Sequence, residues 1–202
     1  MFEGLVGRTG EFERLAGFLA AVDTGPAALV IDGEPGIGKS TLWHAGVQHA
    51  RRSGLHVLTA RCCESESVAA WSVLADLLAE VAPAALDALP GVQRLAIGRV
   101  LDGRRTDRVD PAVDRRILAA AVLSIIGELE RSAGVVIAID DLQWVDASSQ
   151  AVLAFVARRL RGRTALLLTE RPEPQREPAS IWLRLDATDG VERLSLRPLS
   201  LG

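Results

Sequence analysis

The chain has 202 residues, 49% hydrophobic and 24% charged, a balance that builds one α/β core and excludes intrinsic disorder. A formal net charge of −3 argues against a broad nucleic-acid-binding face, and the longest apolar stretch, at 117–127, is too short to span a membrane. No basic segment followed by an apolar core opens the sequence, and the only cysteines, Cys62 and Cys63, are adjacent, which suits neither a disulfide scaffold nor a metal site; the expected location is the cytoplasm.

In chain order, Thr9 is placed to cap a helix running to about Val22, with Glu11 and Glu13 near the positive end of its dipole. Phe12, Leu15, Leu19 and Val22 recur in it at helical spacing. AALVID (27–32) is short and apolar and reads as a buried strand; a glycine-rich loop follows, then a helix from about Ser40 to Arg52 ended by Ser53-Gly54. HVLTARC (56–62) is the second strand. The stretch from Glu64 to Gly134 is mostly helical: one segment near Ala69–Val81, a broken part around Pro83 and Pro90, and another near Val92–Leu101. Its closing helix takes Asp110 as cap and Pro111 as first residue, with Val113, Ile117, Ala121, Ile125 and Leu129 as the buried stripe. VVIAID (135–140) is the third strand; Asp146 or Ser148 starts the next helix; ALLLTE (165–170) is the fourth strand, RPEPQREP a stiff polar loop, and VERLSL (191–196) the fifth strand. Continuously apolar strands alternating with helices imply a parallel sheet covered on both faces, with a helical insertion between strands two and three. The mixed-charge run at 104–116 reads as a solvated segment leading into a helix, with a phosphate or partner contact as the alternative.

All but one of the 23 basic residues are arginine, and the lone lysine, Lys39, lies inside Gly33-Glu34-Pro35-Gly36-Ile37-Gly38-Lys39-Ser40. That string fits G-x-x-x-x-G-K-[ST], and it stands where the pattern requires, after a strand and before a helix. Glycines let the loop through Gly33, Pro35, Gly36, Ile37 and Gly38 fold tightly around phosphate oxygens, with N–H groups from every one of these but Pro35, while Lys39 brings a compact charge to the β- and γ-phosphates and Ser40 offers a hydroxyl to Mg²⁺. Thr41 completes the expected nucleotide contacts at the start of the helix. In VVIAIDDLQWVD (135–146) an acid ends a buried strand, at the edge where open α/β sheets bind ligands. Asp140 is the candidate for Mg²⁺, and Asp141 for orienting or deprotonating the attacking water. At the end of the fourth strand Thr169 or Arg171 could sense a γ-phosphate, the alternative being a surface arginine before Pro172. His44, His49 and His56 read as surface or core histidines, Trp43, Trp71, Trp144 and Trp182 as packing residues, Cys62 and Cys63 as small apolar groups, and Asp146 as a helix cap.

LVGR (5–8), GEPGIGKST (33–41), IDDLQWVD (139–146) and LLLTERPE (166–173) together resemble the nucleotide module of STAND-class P-loop ATPases, with MalT-like, large LuxR-type transcriptional regulators as the nearest likeness. The resemblance spans nearly the whole chain. It implies a P-loop NTPase three-layer sandwich with a five-stranded parallel sheet ordered 5-1-4-3-2, so that Arg171 or Thr169 lies beside the γ-phosphate. It also implies that Val6, Gly7 and Arg8 line the adenine side of the pocket. In such proteins ADP holds a closed state, exchange for ATP allows self-association, and hydrolysis resets the switch.

Two departures shape the expectation. The family's helical lid, winged helix, sensor repeats and helix-turn-helix are not in this sequence, so 1–202 is expected to be a single P-loop NTPase domain, a natural short protein or a fragment, without direct DNA binding. Asp141 stands where many AAA-type ATPases have Glu, one methylene longer, so slow turnover is expected. The expected function is therefore a cytoplasmic, Mg-dependent, slowly hydrolysing ATP switch that catalyses through Lys39, Asp141 and Arg171. The alternatives are a non-hydrolysing nucleotide-binding scaffold, a different P-loop enzyme such as a small-molecule kinase, and a partial domain that folds poorly alone.

Overall fold

A computed structural model of the chain describes residues 7–106, 114–172, 177–178, 180–181 and 191–198, without side chains at 104–106. Five parallel strands form one sheet: β1 (Ala27–Asp32), β2 (His56–Arg61), β3 (Val135–Asp140), β4 (Thr164–Glu170) and β5 (Val191–Ser195). Their order is β2-β3-β4-β1-β5, which is the 5-1-4-3-2 order of a P-loop NTPase α/β fold. β4 thus lies between β1 and β3, and its register with β1 sets Asp32 beside Glu170.

The seven helices are α1 (Thr9–Ala20), α2 (Lys39–Arg52), α3 (Ser72–Ala79), α4 (Pro83–Asp87), α5 (Gly91–Thr106), α6 (Arg115–Leu129) and α7 (Ala147–Ala157), among the described residues. Alternation along the strands sorts them into two layers. On one face Val30, Leu58, Ile137, Ile139, Leu166 and Leu168 pack with α3, α5, α6 and α7; on the other Leu29, Ile31, Val136, Ala138 and Leu167 pack with α1 and α2. Both faces of β3 and β4 are buried throughout, and this is why their sequences read as unbroken apolar runs. α1 and α2 approach closely at Gly46, where an added Cβ would stand 2.7 Å from a Leu15 methyl group.

Several boundaries differ from expectation, each for a tertiary reason. Arg8 is the N-cap position of α1 and Thr9 its first helical residue; Arg8 makes no side-chain cap, and its guanidinium reaches Glu11 in the first turn and the Ile37 carbonyl instead. α6 is capped by Asp114, whose carboxylate accepts the Arg116 N–H at 2.7 Å; the expected cap Asp110, with Pro111 and Val113, lies outside the described residues. The buried surface of α6 is wider than one stripe, adding Leu118, Ala119, Val122 and Ile126 because α5 and α7 flank it, while Ile117 of the expected stripe is only half-buried. α3 begins at Ser72 rather than Ala69, since Trp71 holds a left-handed φ of 69° that stops a helix from extending backwards. Most of the mixed-charge run, Trp182, and parts of the loop after Arg171 also lie outside the described residues.

Candidate functional site

The carboxyl ends of β1, β3 and β4 meet the start of α2, and every central residue of the site comes from one of these four ends. β1 leads into the glycine loop through Gly33, Gly36 and Gly38, whose φ values of 151°, 76° and 103° lie in the region that disfavours side chains. Gly33 is doubly required: a Cβ there would meet the Leu196 carbonyl oxygen at 3.1 Å. Ile37 N–H closes the loop onto Glu34 O at 3.3 Å, and α2 then starts with amides 39–41, which a helix leaves without intrahelical acceptors.

Lys39 is 5% exposed, and its ammonium donates to the carbonyls of Gly33 (2.8 Å) and Glu34 (2.9 Å). Burial holds its pKa below the usual lysine value, and Arg171 adds to this against the opposing pull of Asp141, Asp140 and Asp32. Anionic phosphate beside it would therefore meet a charge already stripped of much of its water. The next residue, Ser40, donates its hydroxyl to Asp140 Oδ1 at 3.2 Å across 100 positions of sequence. Asp140 is 2% exposed and its Oδ1 also accepts the Thr169 hydroxyl at 2.6 Å, while Arg61 Nε stands 3.8 Å from Oδ2.

Thr169 spends its hydroxyl proton on Asp140 and accepts the Asp141 N–H at 2.8 Å, so it joins β4 to the last residue of β3 and to the first residue after it. Asp141 has a left-handed φ of 58°, which turns the chain into a 3₁₀ turn at Leu142–Trp144. Its carboxylate accepts Gln143 Nε2 (2.9 Å) and Arg171 Nε (3.2 Å) at Oδ1, and Arg171 Nη2 (3.4 Å) at Oδ2. The Arg171 N–H donates to Gln143 Oε1 at 3.2 Å. Ser40, Lys39, Asp140, Asp141, Thr169 and Arg171 are thus brought together as expected; Gln143 joins them unannounced by any sequence pattern except its place two residues after Asp141.

At the edges the picture differs. Arg8 is 7% exposed and donates to the Ile37 carbonyl (2.9 Å) and to Glu11 (2.8 Å), so it ties the start of α1 to the glycine loop; Gly7 is exposed with φ 73°, and Val6 lies outside the described residues. The Arg8 contact holds the Glu11 carboxyl below its usual range. Pro35, Gly36 and Thr41 are exposed at the loop, and Ile37 packs inward. A second ion group, not foreseen, lies on the other side of β1: Arg193 donates to Glu170 (2.6 Å), to Asp32 (3.5 Å) and to Ser180 (2.7 Å), and Ser180 N–H donates to Glu170 (2.8 Å). Glu170 is therefore committed to β5 and not to the aspartate pair. Asp146 caps α7 through the Ser149 N–H (2.9 Å) and also accepts from Trp71 N–H (2.9 Å), Ser72 Oγ (3.2 Å) and Val73 N–H (3.3 Å) at the start of α3. Trp43 packs as expected, with its indole N–H donating to Leu167 O at 3.2 Å.

Among the described residues no three His, Cys, Asp or Glu side chains gather to hold a metal, and no helix is long and apolar enough to cross a membrane. Ser40 and Asp140 supply two hard oxygens, a donor set that fits a magnesium ion taking its other ligands from phosphate and water.

A family model described as AAA ATPase domain matches residues 4–169. A search of curated proteins found no match. Among solved structures, the chain is similar to the ORC2 protein of Aeropyrum pernix in its ADPNP–ADP complexes, with 20% identity, TM-score 0.56 and coverage of 96% of this chain and 48% of that one. It is also similar to the A. pernix ORC1 protein in complex with DNA (17%, 0.53, 96% and 46%) and to Cdc6p of Pyrobaculum aerophilum (13%, 0.55, 98% and 47%). At these identities the likeness establishes the fold, and the chain spans about half the length of these proteins.

Proposed function

The chain belongs to the AAA ATPase domain family, and on that premise we propose that residues 1–202 form one Mg-ATP-binding module that hydrolyses its nucleotide slowly and works as the switch of a cytoplasmic LuxR-type transcriptional regulator. The observation that carries the nucleotide reading is the meeting of Ser40 and Asp140 at 3.2 Å beside a buried lysine. A strand-to-helix glycine loop alone needs none of this; a phosphate and magnesium site needs all three.

In this reading the backbone from Gly33 to Thr41 and the Lys39 ammonium hold the phosphates, with Val6, Gly7 and Arg8 on the adenine side. Magnesium between Ser40 and Asp140 would offset charge on the β- and γ-phosphates. Asp141 orients the attacking water and takes its proton. Arg171 has five N–H donors on its guanidinium and, among the described residues, spends two of them on Asp141, which leaves others to reach γ-phosphate oxygens. Thr169, its proton already given to Asp140, acts as the anchor of the aspartate pair, and Arg171 takes the sensing role. The LuxR-type context and self-association in the ATP state rest on the IDDLQWVD and LLLTERPE strings. The ORC and Cdc6 likenesses support a nucleotide-dependent ATPase fold in general.

Thermal unfolding with Mg-ADP and Mg-ATP, run beside Lys39→Ala, tests the site. Ligand at a hundred times its dissociation constant stabilises by about 2.7 kcal/mol, which raises the midpoint by roughly 5–11 °C in a chain of this size. A shift present in the parent and lost in Lys39→Ala is expected; equal shifts in both overturn the reading. Phosphate release by the parent against Asp141→Asn then separates a hydrolysing switch from a scaffold that only holds nucleotide.

A further inference from the structure

We propose that Gln143 is a positioning residue for hydrolysis, the group that keeps the Asp141 carboxylate aimed while Arg171 serves the γ-phosphate; the inference rests on the ATPase reading above. Backbone geometry creates the contact. The left-handed turn at Asp141 and the 3₁₀ turn after it, closed by Trp144 N–H to Asp141 O (3.0 Å) and Val145 N–H to Leu142 O (3.3 Å), bring the Gln143 side chain back over the residue two before it. There its amide makes two bonds of opposite polarity: Nε2 donates to Asp141 Oδ1 at 2.9 Å, and Oε1 accepts the Arg171 N–H at 3.2 Å. Flipping the amide would set an N–H against an N–H and an oxygen against a carboxylate, so the neighbours fix one orientation. A single neutral side chain thus ties the end of β3 to the first residue after β4.

The contacts on Asp141 differ in what can disturb them. Those from Arg171 are longer, at 3.2 and 3.4 Å, and come from a side chain 40% exposed, whose charge a phosphate would attract. The Gln143 bond is the shortest of the three and carries no charge for a phosphate to compete for. It also occupies Oδ1 and leaves Oδ2 for water if the guanidinium turns away. The turn that carries Gln143 is closed by main-chain bonds and α7 is capped by Asp146, so neither depends on the Gln143 side chain.

The test combines phosphate release with binding of a fluorescent N-methylanthraniloyl-ATP in Mg²⁺ for the parent, Gln143→Ala, Gln143→Glu, Asp141→Asn and the double variant Gln143→Ala/Asp141→Asn. Misaiming a water-orienting group costs on the order of 10–100-fold, so Gln143→Ala is expected to lose that much kcat while Kd and KM move less than about threefold. Gln143→Glu keeps the acceptor for Arg171 but faces Asp141 with a like charge, and is expected to fall at least as far. Because Gln143 acts through Asp141, the double variant should release phosphate no more slowly than Asp141→Asn, a non-additivity that a merely structural residue would not give. Parental kcat in Gln143→Ala, or a double variant slowed by the product of the two single losses, overturns the role of Gln143 alone. Parental phosphate release no faster than that of Lys39→Ala overturns the ATPase reading and this inference with it.

Discussion

Replacing Thr169 by valine keeps the shape of a fully buried side chain and removes one hydroxyl, so it isolates the bond that joins β4 to the aspartate pair. The hydroxyl donates to Asp140 Oδ1 at 2.6 Å and accepts the Asp141 N–H at 2.8 Å. A bond to a charged acceptor contributes about 1.5–3 kcal/mol, and an N–H left without its acceptor costs about 1–3 kcal/mol. Ser40 still faces the same carboxylate oxygen at 3.2 Å, so the charge is not stranded and the lower half of each range applies. The expected loss is about 3 kcal/mol, a midpoint roughly 6–12 °C lower by calorimetry. Thr169→Ser keeps both bonds and loses one methyl group, worth about 1 kcal/mol, and should fall only about 2–4 °C. Valine within about 2 °C of the parent, or serine worse than valine, would refute the assignment of the hydroxyl as the anchor.

Three further outcomes can be checked. Gly46→Ala gains about 1 kcal/mol of helix propensity but forces a methyl group against fully buried Leu15, at about 1–3 kcal/mol, so a net loss near 1 kcal/mol is expected in urea unfolding, and a more stable variant would show that α1 yields freely. Asp146→Ala removes the cap of α7 and the acceptor of two α3-end amides, about 3 kcal/mol together; a loss under about 1 kcal/mol in the same assay would contradict the shared cap. Burial above all, then the nearby aspartates, pushes the Cys62 thiol well above its usual pKa, whereas Cys63 is exposed. A thiol reagent on the native chain should therefore modify one equivalent and reach the second only in denaturant, and two equivalents reacting at one rate would disprove it.

What the sequence disclosed follows from how local each signal is. β1, β3 and β4 were legible because strands covered on both faces must be apolar at every position, and the glycine loop because phosphate geometry fixes residue types at set intervals. The aspartate pair was placed by its strand. Helix starts were less legible, since the contacts around them are remote: Arg8, just before α1, reaches the Ile37 carbonyl, and Trp71, just before α3, has its amide bound by Asp146, 75 residues on. Asp110 and Asp114 both carry the local mark of a cap, and only the bond to Arg116 N–H selects Asp114. Gln143 was missed for the same reason, because its partner Arg171 lies 28 residues on, just past the end of β4.

The Asp146 carboxylate takes hold of α3 chiefly through main-chain amides, with one serine hydroxyl besides. An attachment made to backbone is indifferent to which side chains the attached segment carries. The outward surfaces of the helices from α3 to α6 are therefore open to rewriting, provided the faces that pack on the sheet keep their apolar side chains. Such an attachment makes the outward face of this insertion the natural place to engineer new recognition on the domain, with the nucleotide chemistry left in place on the far side of the clasp.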